Sequence, residues 1–109
     1  MRTTTYQSAI VKYLQQYHLV SLTDLTTALQ ADFSTLYRNM QSLEHTGVVR
    51  RVVIDSKRTL YELTTHQHDH FVCTECAVVE AITQTNVSLP GHEVDDVIVR
   101  GRCGDCRGK

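Results

Sequence analysis

Residues 34–47 read STLYRNMQSLEHTG, and residues 48–63 continue VVRRVVIDSKRTLYEL. At ~100° per residue, Leu36, Met40 and Leu43 fall within one narrow arc, with Phe33 beside it. Arg38, Gln41 and His45 fall on the opposite side and Tyr37 on a flank. The pattern predicts an amphipathic helix with Ser34 as its N-cap and an end at Gly47. Residues 48–54 are rich in β-branched side chains, residues 55–58 form a polar turn, and residues 59–63 give a second strand. A β-hairpin directly behind such a helix is a wing. Its tip carries Lys57 and Arg58, cations suited to phosphates or a minor groove.

Working outward, Tyr6, Ile10, Tyr13, Leu14 and Tyr17 recur at helical spacing and predict a first helix to about Tyr17. Ser21 and Asp24 form a capping box with Asp in place of Glu, ahead of a short helix striped by Leu22, Leu25, Ala28 and Leu29. Gln30, Ala31 and Asp32 are the break. Two short helices around a tight break, the second with a polar outer face, read as helix-turn-helix. The expected DNA contacts are Ser34, Thr35, Tyr37, Arg38 and Gln41, joined by Lys57 and Arg58.

The second half has a different chemistry. Cys73 and Cys76 form one C-x-x-C pair and Cys103 and Cys106 another, downstream of His66, His68 and His70. Two such pairs complete a tetrahedral S4 site, which suits Zn²⁺. The histidines are borderline-soft nitrogen ligands and point to a second, less permanent metal. The alternative for the cysteines is a pair of disulfides, common in small secreted domains. Residues 1–7 carry no apolar signal region and no stretch is long enough to span a membrane, so the expectation is a cytoplasmic chain with metal-bound thiolates.

The 109 residues suit one compact domain or two very small ones, and a second half of this size needs a staple. The net charge of −1 hides an asymmetry. Residues 1–61 hold seven Lys/Arg against four Asp/Glu, and residues 62–109 hold four against eight. A basic first half suits a polyanion and an acidic second half attracts cations. Val94 to Arg100 reads as a further strand, and the seam falls near residues 63–65. The expected architecture is α+β: a winged helix-turn-helix domain over residues 1–63, then a small zinc-stapled domain over residues 64–109, which the family resemblance given next implies to be an α/β metal-binding and dimerisation domain.

In chain order, Ser34 to Arg38, Gly47 to Arg51, Tyr61 to Leu63, His68 to His70, Cys73/Cys76 and Arg100 to Cys106 together resemble the ferric uptake regulator family of bacterial metal-dependent repressors. The resemblance covers nearly the whole chain. It implies a metal-responsive DNA-binding repressor, a structural Zn²⁺, a regulatory Fe²⁺, Zn²⁺ or Mn²⁺, a double-stranded DNA operator and a homodimer. By position, Tyr37 and Arg38 match the recognition pair and the four cysteines match the structural zinc site. His68, His70 and Glu62 match regulatory ligands. Glu80 lies one residue closer to the C-x-x-C than the family's acidic ligand, and His18 is near the ligand of the DNA domain.

Three departures stand out. Gln67 and Arg102 replace histidines of an additional metal site, residues 83–91 are too short for the family's long helix, and no cysteine precedes the histidine run. The short segment predicts a weaker dimer than the family's norm. The rival reading is a zinc-stapled winged-helix protein-interaction module with no DNA or sensing role. An enzyme is not expected: His66, His68, Asp69 and His70 miss the H-x-H-x-D-H spacing of binuclear zinc hydrolases, and no nucleophile or general-base constellation accompanies them. No small-molecule substrate is expected either.

Overall fold

The computed structural model describes residues 3–66, 69–82 and 87–108. In chain order these form α1 (Thr3–Tyr17), α2 (Leu22–Leu29), α3 (Phe33–His45), β1 (Val49–Val53), β2 (Thr59–Leu63), a 3-10 turn (Thr64–His66), β3 (Asp69–Cys73), β4 (Val79–Ile82), β5 (Ile98–Gly101) and α4 (Gly104–Arg107). The chain divides into two compact units, Met1–Gln67 and His68–Lys109. The fold class is α+β, as the sequence implies.

The first unit is a winged helix. Ile10 and Leu14 of α1, Leu25 of α2 and Leu36, Met40 and Leu43 of α3 meet in one core with Val20, Val49, Tyr61 and Leu63. Leu36 is fully buried, and truncating such a side chain to Ala costs ~2–5 kcal/mol. Ser21 caps α2: its side chain accepts from the Asp24 backbone N–H while Asp24 accepts from the Ser21 N–H. Gln30 closes the helix in the left-handed region at φ 50°. The cap of α3 is Asp32 and not Ser34. Asp32 accepts from the Thr35 N–H and from the hydroxyls of Ser34 and Thr35, which places Ser34 inside the first turn. Gly47, at φ 82°, turns the chain from α3 into the wing. The wing pairs antiparallel, with Val49 opposite Leu63 and Arg50 opposite Glu62.

The second unit is a three-stranded sheet ordered β4-β3-β5, with β4 antiparallel and β5 parallel to β3. The strand expected over Val94 to Arg100 is shorter and later, because its ladder with β3 begins at the His70–Ile98 pair. Among the described residues no helix lies between β4 and β5. Among them, too, only Val72 and Cys73 of this unit are buried hydrophobics, with Asp69 and His70 beside them. Among the described residues the apolar core of this unit is small for its 42 residues, which suits a metal staple.

Candidate metal centre and nucleic-acid face

Three local structures assemble the cysteines. Cys73 ends β3. Residues 74–76 turn back, and Ala77, at φ 67°, leads into β4 while its N–H donates to the Cys73 carbonyl at 3.0 Å. The parallel pairing sets Cys73 beside Gly101, and Cys103 follows as the N-cap residue of α4, which carries Cys106. The four sulfurs lie within 4.8 Å of one another, and Cys76 Sγ is 3.7 Å from Cys103 Sγ. A regular tetrahedron of ~2.3 Å Zn–S bonds sets sulfurs ~3.8 Å apart. All four cysteines are free thiols, so the disulfide alternative is not adopted.

Cys73 Sγ accepts backbone N–H groups from Glu75, Cys76 and Cys103, each at 3.4 Å. These donors, that of Cys76 foremost, hold the Cys73 thiol down to about 6. An anion is thus ready at neutral pH for a soft cation. Cys106 is pushed up to about 12, first by its hydrogen bond to Cys103 and then by burial. Crowded thiols keep their protons until a cation replaces them. The donor set, spacing and anion support fit structural Zn²⁺.

The outer face of α3 carries Ser34, Tyr37, Arg38 and Gln41, all exposed, while Thr35 is partly covered by its bonds to Asp32. Phe33, read from the projection as a neighbour of the core stripe, is 56% exposed and stacks on Tyr37 at 6.0 Å. Asn39 takes a core place instead, its amide donating to the Thr35 carbonyl at 2.8 Å. At the wing tip, Asp55 accepts from the N–H groups of Lys57 and Arg58 and pairs with the Arg58 guanidinium at 3.1 Å. Those bonds, that from Lys57 first, hold Asp55 below the usual carboxylate range. They leave the Lys57 side chain exposed and half-bury Arg58.

The expected regulatory ligands fall in both units. In the first, His18 is exposed just past α1, with left-handed backbone at φ 64°. Glu62 is buried in β2 and paired with Arg50. In the second, His70 is buried within β3. His68 and Gln67 lie outside the described residues. Glu80 requires a correction. It stands opposite Phe71 in the β3–β4 ladder, whereas His70 stands opposite Ala81. Opposed residues share a face and neighbours alternate, so Glu80 and His70 point to opposite sides of the sheet. The one-residue offset from the family pattern has this physical consequence: Glu80 is not available to an ion held by His70.

The model of the ferric uptake regulator family matches residues 1–96. The chain belongs to that family. It is similar to the ferric uptake regulation protein of Klebsiella pneumoniae, 27% identical over 127 aligned positions that cover 98% of this chain and 82% of the relative. Among solved structures, the ferric uptake regulator of Francisella tularensis with iron superposes with a TM-score of 0.73 at 21% identity, over 98% of this chain and 95% of that one. The regulator of Pseudomonas aeruginosa with manganese gives 0.72 at 23% identity, over 91% and 87%. In this member of the family, β4 is followed by β5 without an intervening helix among the described residues.

Proposed function

We propose that this ferric uptake regulator is a metal-responsive repressor that binds duplex operator DNA as a homodimer and controls metal uptake or homeostasis genes. The observation that carries this reading is α3. It buries Leu36, Met40 and Leu43 and presents Tyr37, Arg38 and Gln41, with Phe33, on a winged helix-turn-helix. Such a helix reads base edges in the major groove while wing cations such as Lys57 and Arg58 meet phosphates. The Zn²⁺ on Cys73, Cys76, Cys103 and Cys106 holds the second unit. For the regulatory ion, Fe²⁺, Mn²⁺ or Zn²⁺, the candidate ligands are His18, Glu62, His68 and His70, and its binding is coupled to operator binding.

The dimer surface belongs to the second unit. β5 is an edge of its sheet, and Val87, Leu89, Val94 and Val99 are exposed apolar side chains in and before it. A symmetric partner on that edge would give a palindromic target with half-sites about one or more helical turns apart. No helix of the described chain is long and apolar enough to cross a membrane. We place the regulator in the cytoplasm, with DNA as its partner and no catalytic reaction of its own. A protein-interaction module without DNA binding leaves the polar face of α3 and the family match unexplained.

The test is selection of duplexes from a random pool by the zinc-loaded protein, with and without each divalent ion. A palindromic site enriched only with a regulatory ion, bound with steep salt dependence, supports the reading. Salt-independent or absent duplex binding contradicts it.

A further inference from the structure

Phe33 is the first residue of α3 and is 56% exposed, and Tyr37, one turn on, is 42% exposed. Their ring centroids lie 6.0 Å apart with 19° between the planes. Residues four apart on a helix share a face, so the rings form one apolar patch. A single exposed apolar side chain is ordinary, but two large rings stacked on one helix face make a contact surface. The polar side chains of the same turn are already engaged. Ser34 and Thr35 both give their hydroxyl protons to Asp32 at 2.7 Å, and the Thr35 backbone N–H donates to the same carboxylate at 3.2 Å. These bonds fix the turn that carries Phe33. They also commit both hydroxyl donors, so what this turn offers outward is largely apolar.

A recognition helix enters the major groove with its N-terminal residues against the base edges. Those edges carry donors, acceptors and one apolar group, the C5-methyl of thymine. A phenyl ring has no hydrogen bond to give a base, so the group it selects there is that methyl. The surroundings suit a polyanion. Arg38 is exposed next to Tyr37, and Glu44, two turns after Tyr37, holds the half-exposed Arg51 of β1 at 3.2 Å. The separation of 6.0 Å between the rings exceeds the ~3.4 Å rise of one base pair, so the two rings can address different base pairs. We propose that Phe33 is a specificity-determining residue, which reads the C5-methyl of one thymine in each half-site, at a base pair other than the one Tyr37 meets. It favours thymine over cytosine at that position, because cytosine lacks the methyl. The inference rests on α3 being the DNA-reading helix, as proposed above.

The test uses the full zinc-loaded chain on the palindromic duplex selected from the random pool, with the divalent ion under which it was selected. Each thymine in turn is replaced by deoxyuridine, which removes the C5-methyl and leaves every hydrogen-bonding group of the base in place. At one thymine of each half-site the parent is expected to lose about threefold to fivefold in affinity, the worth of one buried methyl. Phe33→Ala should bind the unmodified duplex more weakly and show no further loss at that thymine, while its losses at other thymines match the parent's. Phe33→Leu keeps an apolar side chain and should keep the loss at that thymine. Phe33 is exposed, so both variants should melt close to the parent. A parent indifferent to deoxyuridine at every thymine overturns the proposal without recourse to a variant. A uniform weakening in Phe33→Ala, with every deoxyuridine loss unchanged, overturns it too, since Phe33 would then only prop Tyr37. Either result, with selective binding by the parent intact, removes the role of Phe33 alone. The absence of any selected duplex removes the reading of α3 beneath it as well.

Discussion

The backbone N–H of Cys103 donates to the sulfur of Cys73 at 3.4 Å, across the parallel pairing of β3 with β5. One sulfur therefore gathers donors from both halves of the cysteine cluster. Cys73 is also buried, whereas Cys76 is exposed. Cys73→Ser should release zinc and lower the melting temperature of the second unit more than Cys76→Ser does. The first unit, with its own core, should keep its helical circular dichroism. Zinc content and two-probe melting of each variant check the ranking. Full zinc retention with unchanged melting in Cys73→Ser would remove the structural site.

His70 is 1% exposed within β3, so its replacement has two effects. His70→Ala should lower stability by ~0.5–3 kcal/mol, the ordinary range for a buried truncation. It should also abolish ion-dependent DNA binding while one zinc per chain remains on the cysteines. Metal analysis beside a DNA titration separates a lost sensor from a lost fold. A parental response to the ion in this variant would show that His70 serves packing alone.

Arg38 lies on the exposed face of α3 and Lys57 at the exposed wing tip. Losing a base contact at Arg38 should cost ~1–3 kcal/mol and relax preference at one position of the operator. Lys57→Ala should weaken all duplexes alike and flatten the logarithmic salt slope by about 1. Arg58→Ala should do less, since Arg58 is already engaged by Asp55. Binding of single-position operator variants across salt concentrations checks the three together. Specific binding left intact by Arg38→Ala would contradict the assignment of α3.

The cap of α3 titrates with a definite sign. Hydrogen bonds from Ser34 and then Thr35 lower the Asp32 carboxyl from 3.8 to about 2. A depressed folded-state value means that the ionised carboxylate stabilises the native form. Its contribution is complete above about 4 and fades as pH falls toward 2. Asp32→Asn keeps an acceptor but cannot ionise. The melting difference between parent and variant should be present at neutral pH and close over that acid window. A difference independent of pH would assign the effect to hydrogen-bond geometry alone.

Most of the first unit was legible because its signals are local. The arc of Leu36, Met40 and Leu43, the Ser21–Asp24 box and the turn at Gly47 each act within a few residues. The cap of α3 was misplaced at Ser34 because two good cap residues stand two positions apart. The carboxylate of Asp32 wins by accepting from three groups, Ser34 among them. Features that depend on register were less accessible. The late start of the strand expected from Val94 follows from where β5 meets β3, at the His70–Ile98 pair, and no periodicity within residues 94–100 reports that. The opposite facing of Glu80 and His70 emerges only when β3 and β4 are paired. The Arg50–Glu62 pair is a register feature too: counting back from a turn at residues 55–58 puts Arg51 opposite Glu62, and the longer connection over residues 54–58 brings Arg50 there instead.

An ion acting through the second unit's histidines is expected to switch operator binding by the first. The direct measurement is fluorescence anisotropy of a selected palindromic duplex, titrated with zinc-loaded protein, first with Mn²⁺ or Fe²⁺, then with a chelator too weak to strip the cysteine site, then with the ion restored. The account predicts tight binding with the ion, a loss of about tenfold or more on chelation, in line with typical coupling energies, and full recovery. Equal affinity in all three states, with the cysteine zinc in place throughout, would contradict it.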